Sequence, residues 1–174
     1  MPRRHILTER QRSALFDLPQ DEAALLQHYT LDDDDLERIR ERRRPSNRLG
    51  FAVQLCAFRY PGRLLTSGEV IPLQMTKFIA AQIGVRPDDL AGYAETEVTR
   101  RRHLIALRAT YGYRMFSGRR ARDLKVWLDG EAEAAVSSVD LARRFVEQCR
   151  RTQTILRRAP RPASRVSSGF ALML

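Results

Sequence analysis

Between Asn47 and Tyr60 the chain reads NRLGFAVQLCAFRY, and this stretch constrains the fold more than any other. Wound as a helix, it places Leu49, Ala52, Val53, Cys56 and Tyr60 on one face. Phe51, Leu55 and Phe58 fall on an adjoining face. A helix apolar over most of its circumference has to be enclosed by other elements, so this segment is expected at the centre of the core. Immediately before it, RIRERRRPSNR puts Arg38, Arg40, Arg42, Arg43, Arg44 and Arg48 within eleven residues. Only the first turn of the central helix can then reach outward. Charge and core belong to opposite ends of one helix–turn–helix unit.

Helix signals dominate the rest. LTERQRSALFDLP offers Thr8 as N-cap with Gln11 three residues on, a capping box, and Pro19 beyond the end. Ala14, Leu15 and Leu18 are its expected inner stripe. QDEAALLQHY and TLDDDDLERIRERRR start with acids and end with His28 or arginines, which suits the helix macrodipole. Pro45 is expected to stop the latter, with Ser46 or Asn47 capping the central helix. Pro61-Gly62 marks a turn, and GRLLTSGEVIP a loop with one extended piece. Pro72 begins a helix that ends at Ile83 with Gly84 as C-cap, and RPDDLAGYA gives a short helical turn. Further helices are expected over TEVTRRRHLIALRATYG, SGRRARDLKVWLDG, a short GEAEAAV and SSVDLARRFVEQCRRTQTIL, the last with Ser137 or Ser138 as its cap. No segment alternates with period two, so the expected class is all-α, a compact multi-helix bundle.

The chain has 174 residues, 43% of them hydrophobic and 30% charged, an ordinary globular composition. Residues 1–156 are read as the helical domain, with a division near residue 62 into 1–62 and 63–156. Residues 157–174 carry four arginines, no acid and no helical stripe, and are expected to be disordered. Cys56 and Cys149 sit singly in apolar patterns and suit small buried hydrophobes in a reducing compartment. The start lacks the apolar core of a signal peptide and no run is long enough for a membrane span, so a cytoplasmic location is expected.

Little in the chain supports catalysis. His5, His28 and His103 are scattered, and no Gly-rich phosphate loop, nucleophile elbow or metal-ligand spacing occurs. Asp32 to Asp35 form the one dense acid run. Consecutive helix positions point in different directions, so the four cannot converge on one ion. The run reads as a helix start dressed with acids. No catalytic residue, metal or cofactor is expected.

The positive evidence is cationic. Lys+Arg number 31 against 21 Asp+Glu, a formal +10, and only Lys77 and Lys125 are lysine. Arginine binds phosphate bidentately and reads guanine edges, so clustered arginines point to nucleic acid. The clusters are Arg42, Arg43, Arg44 and Arg48 with Arg63 nearby; Arg100, Arg101 and Arg102; and Arg119, Arg120 and Arg122 beside Arg114. Asn47 joins the first, as a residue able to pair with adenine or to cap the helix. A helix of the 32–60 region is expected against a DNA groove, with Arg43, Arg44, Asn47 and Arg48 nearest the duplex.

These residues also carry a resemblance. HYTLDDDDLERIRERRRPSNRLGFAVQLCAFRYPGR, with the opening MPRRHILTERQRSALFDLP and the later YAETEVTRRRHLIALRATYGYRMF and RRTQTIL, resembles the N-terminal region of the large replicative transposases of the Tn-three family, a domain of the DUF4158 type. The resemblance covers about residues 1–156. It implies a helical domain that binds the transposon's terminal inverted repeats. Catalysis would belong to a distant ribonuclease-H-like domain with an Asp-Asp-Glu metal site, which this chain does not reach. Double-stranded DNA at transposon ends is the implied partner, with self-association or pairing with full-length transposase as further ones. After Leu156 the resemblance stops, and RRAPRPASRVSSGFALML reads like an out-of-frame end, so a truncated transposase is expected. Two alternatives stay open: a helical protein-interaction module with incidental charge, and a metal-dependent nucleic-acid-processing enzyme using the aspartates.

Overall fold

The computed structural model describes residues 7–93 and 97–157 of the chain. Among the described residues the order is α1 (Glu9–Phe16), α2 (Glu22–Tyr29), α3 (Asp33–Arg40), α4 (Pro45–Arg59), β1 (Arg63–Leu64), α5 (Leu73–Ile83), a 3-10 helix (Pro87–Gly92), α6 (Glu97–Tyr111), β2 (Arg114–Met115), α7 (Gly118–Glu131), α8 (Ser138–Arg151) and β3 (Thr154–Arg157). The class is all-α. The expected disorder of the tail concerns residues that, beyond Arg157, lie outside the described ones.

The chain forms two compact units interleaved in sequence. One comprises Met1–Asp17, Pro61–Arg63 and Arg114–Leu174; the other Leu18–Tyr60 and Leu64–Tyr113. A cut near residue 62 does not coincide with them, because α1 packs with α7 and α8 while α4 packs with α5 and α6. The charge divides unevenly. The first unit holds 18 Lys and Arg against 8 Asp and Glu, hence +10; the second holds 13 against 13, hence zero. They are called the basic and the neutral unit below.

In the neutral unit α4 is the axis, and every residue from Leu49 to Phe58 is buried. Gly50 is required there, because a Cβ at this position would overlap the Cγ, Cδ1 and Cδ2 carbons of the Tyr93 ring. α6 runs parallel to α4: Phe51 meets His103 edge-on at 5.3 Å, and eight residues further along both helices the Arg59 guanidinium lies over Tyr111. α3 runs antiparallel to α4, with Asp35 against Arg59 at one end and Arg42 over Phe51 at the other. Gln82 of α5 donates to the Tyr29 carbonyl and accepts from the Leu31 amide, tying α5 to the α2–α3 link.

The basic unit has its own core, in which Leu7, Leu15, Phe16, Leu124, Leu128, Phe145, Val146 and Cys149 meet. A three-stranded sheet of order β1-β3-β2 closes one side, with β2 and β3 parallel and Arg114 opposite Thr154. The helical reading of RRTQTIL fails here. α8 ends at Arg151, Gln153 takes a positive φ of 50°, and Thr154–Arg157 become a strand. Thr154, Ile155 and Leu156 of the central strand are all buried, so both of its faces are covered and it shows no period-two alternation.

Several local expectations hold. Thr8 and Gln11 form the capping box, Ser137 caps α8, and Gly84 ends α5 at φ 66°. Others are corrected. Pro45 is the first residue of α4 rather than a stop for α3, and Arg44 is the N-cap without a side-chain bond. Proline is favoured there because its missing N–H would have been unpaired in any case. Neither Ser46 nor Asn47 caps. Ala14 is exposed while Phe16 is buried. α7 continues through Gly130 to Glu131, and the residues after it form turns rather than a short helix.

Candidate nucleic-acid interface

The parallel register of α4 and α6 brings two sequence clusters together. Residues 103 and 111 lie level with 51 and 59, so Arg101 and Arg102 lie level with the first turns of α4. The α3–α4 turn, with Arg42, Arg43 and Arg44, is at that same end. One end of the neutral unit therefore gathers cations from positions more than fifty residues apart.

These arginines have different tasks. Arg43, Arg44, Arg101 and Arg102 are exposed, and no side-chain partner holds them among the described residues. Arg42 lies with its guanidinium 4.7 Å from the Phe51 ring centre and pairs with Glu41 at 2.9 Å. Arg48 braces the turn from below: its Nε donates to the Arg42 carbonyl at 2.8 Å. Arg100 is largely covered, donating to the Leu65 carbonyl and facing Glu97 at 3.5 Å. Asn47, in the first turn of α4, is partly buried and makes no cap bond.

Arg63 is corrected outright as a contact residue. It is 1% exposed, and its Nε donates to the Phe16 carbonyl at 2.6 Å in the basic unit. A guanidinium enclosed in this way cannot meet a phosphate. In the same unit Arg119 and Arg122 are exposed, Arg119 loosely facing Asp123 at 3.9 Å. Arg120 instead donates to the Thr152 carbonyl at 2.7 Å and so holds α7 to the end of α8.

The aspartate run is a helix start. Asp32 accepts from the Asp35 amide at 2.8 Å, and the Asp35 carboxylate accepts from the Asp32 amide, closing a capping box. Asp35 is also gripped by both Arg59 nitrogens, at 2.6 and 2.7 Å, and by the Tyr111 hydroxyl at 2.9 Å. Burial alone would raise its pKa; the Arg59 guanidinium outweighs that and leaves it below the usual carboxylate range. With its oxygens occupied, Asp35 cannot serve a metal. Among the described residues no cluster of His, Cys, Asp and Glu could hold one, and no helix is long and apolar enough to cross a membrane.

His103 is a core histidine. The Tyr93 hydroxyl accepts from Gln54 at 2.5 Å and lies 3.1 Å from Nδ1 of His103. Burial, followed by the nearby Arg42 charge, lowers the His103 pKa to about 4. Cys56 and Cys149 are fully buried, and burial pushes both thiols up to about 12, so neither is a nucleophile near neutral pH.

Arg108, further along the helix from the Arg100–Arg102 cluster in sequence and not among the expected contact residues, is also exposed. Arg108 of α6 lies on the side of the helix that carries Arg101. Its spacing of seven residues from Arg101 was the available signal.

The chain is similar to several large transposases. It is 39% identical over 156 residues to the transposase for transposon Tn21 of Escherichia coli, covering 90% of this chain and 16% of that protein. It is 38% identical over 156 residues to the transposase for transposon Tn501 of Pseudomonas aeruginosa, with the same coverage. To the transposase for transposon Tn1546 of Enterococcus faecium it is 42% identical over 114 residues, 66% of this chain and 12% of the relative. The chain thus spans about a sixth or less of the length of these relatives. The model of a family described as a domain of unknown function, DUF4158, matches residues 6–159, both units included. The chain belongs to the DUF4158 family.

Proposed function

We propose that this chain is the DNA-binding N-terminal part of a transposase, that it recognises the terminal inverted repeats of a transposon, and that it holds no catalytic centre of its own. The observation that carries the reading is the convergence of Arg43, Arg44, Arg101 and Arg102 at one end of the neutral unit, without acidic partners among the described residues. Similarity to proteins named as transposases supports DNA as the polyanion. The basic unit, at +10, adds attraction to phosphate irrespective of sequence. Phosphate contacts position such a protein, and base contacts specify its site. Strand cleavage and joining are not assigned to the aspartate run, whose buried member Asp35 is committed to Arg59.

The test is equilibrium binding to a duplex carrying a transposon's terminal inverted repeat and to a shuffled duplex of equal composition, over a range of salt. Tighter binding to the end, with a steep salt slope, is expected. Equal binding to both duplexes at every salt concentration would refute end recognition.

A further inference from the structure

We infer that α6 is the helix that enters the major groove, and that its outward face reads base edges. This rests on the DNA-binding reading above and replaces the expectation that a helix of the 32–60 region fills the groove. α4 cannot do so, because it is buried from Leu49 to Phe58. α3 exposes Asp33, Asp34 and Glu37 among its two exposed arginines, and the exposed Glu41 follows it, so phosphates would be repelled along it.

α6 is different. His103 and Leu107 are its buried side. At 100° per residue, Val98, Arg101, Arg102, Ile105, Arg108 and Ala109 fall within one sector opposite that side, and all six are exposed. Val98 is 60% and Ile105 56% exposed, large values for aliphatic side chains on a helix packed against a core. The sector contains no acid. Glu97 borders it and faces Arg100.

Aliphatic groups flanked by exposed arginines, unpaired among the described residues, fit one surface well. Arginine pairs bidentately with guanine O6 and N7, and aliphatic groups pack on the thymine methyl, both in the major groove. Fifteen residues of helix are about 22 Å long, and the groove, about 12 Å wide, admits a helix. Because Arg43 and Arg44 sit at the level of the first turns of α6, a duplex taking α6 into its groove would bring its backbone to that turn. The occupant is therefore duplex DNA rather than a second copy of this chain, whose matching face would be equally cationic.

Two measurements on the 174-residue chain test this. Arg101→Ala and Arg102→Ala, each checked for native helicity and urea midpoint, should lower the preference for end over shuffled duplex about tenfold per lost bidentate contact. They should also become insensitive to 7-deazaguanine at the guanine that each contacts. Arg43→Ala with Arg44→Ala should lower the salt slope while the preference persists. If the folded α6 variants keep full preference and full 7-deazaguanine sensitivity, the inference is wrong. The second measurement uses Ile105→Cys. The two native cysteines are buried, so this thiol alone would take an iron chelate that cleaves nearby DNA. Cuts in the bound duplex support α6 as the groove helix, and a bound duplex left uncut overturns it. Cutting without any preference for ends over shuffled DNA would instead sink end recognition and leave the placement of α6 standing.

Discussion

Asp35 and Arg59 form a two-pronged ion pair, with Arg59 Nη1 2.6 Å and Nη2 2.7 Å from the two oxygens of a carboxylate that is 1% exposed. The pair clamps the start of α3 to the end of α4, and Tyr111 adds the end of α6. Three helices thus meet at one buried charge, at the opposite end of the unit from the cationic turn.

Breaking that clamp on one side strands the other charge. Asp35→Asn or Arg59→Met should each destabilise the neutral unit by about 3 kcal/mol in urea unfolding. The paired replacement Asp35→Leu with Arg59→Leu should lose less than the sum of the two single replacements by Leu. Additive losses would show that the two groups do not act as a pair.

The same carboxylate sets an acid limit. Its folded pKa lies below the unfolded value near 3.8, so its contribution is complete above that value and is lost as the pH falls through the lower folded pKa. Urea midpoints of the wild type should drop below about pH 4 more steeply than those of Asp35→Asn.

His103 acts in a higher window. Its folded pKa is about 4 against 6.5 unfolded, so between those values the unfolded chain binds a proton that the folded chain does not. Stability should fall as the pH drops from about 6.5 to 4, by up to about 3 kcal/mol in all. His103→Gln should flatten that part of the profile. An identical slope in the variant would locate the dependence elsewhere.

Gly50→Ala should destabilise the neutral unit by at least about 1–3 kcal/mol, because the new methyl and the Tyr93 ring cannot share the space. Gly130→Ala, where a Cβ meets nothing, should be neutral or slightly stabilising. The contrast between the two in thermal unfolding separates crowding from helix propensity.

Arg63→Ala should lower the stability of the basic unit by about 2 kcal/mol, since the Phe16 carbonyl loses its buried donor. At temperatures where the variant is folded, its salt slope for DNA should equal the wild type's. A reduced slope would put Arg63 back among the phosphate contacts.

The helices were legible because their signals are local. Thr8 with Gln11, Ser137, Gly84 and the apolar circumference of residues 49–58 act within one or two turns, and each appears where the residues place it. Pro45 was given the wrong role, since the same residue that cannot continue a helix is favoured at the first position of one, and here it only begins α4. The sheet was not legible. Its outer strands are two residues each, and β3 continues a helix pattern that breaks only at Gln153, through pairing with a partner forty residues away.

The arginine sites divide in the same way. Sequence determined that the chain is helical, that its charge is arginine in clusters, and that residues 49–58 form a core, because periodicity and composition are properties of neighbouring residues. Tertiary structure alone decided what each guanidinium does. It buried Arg63, set Arg48, Arg100 and Arg120 on backbone carbonyls, and left Arg43, Arg44, Arg101 and Arg102 in solvent. The physical reason is that an arginine's long side chain seeks unpaired carbonyls as readily as phosphates, and which carbonyls lie within reach depends on helices distant in the chain.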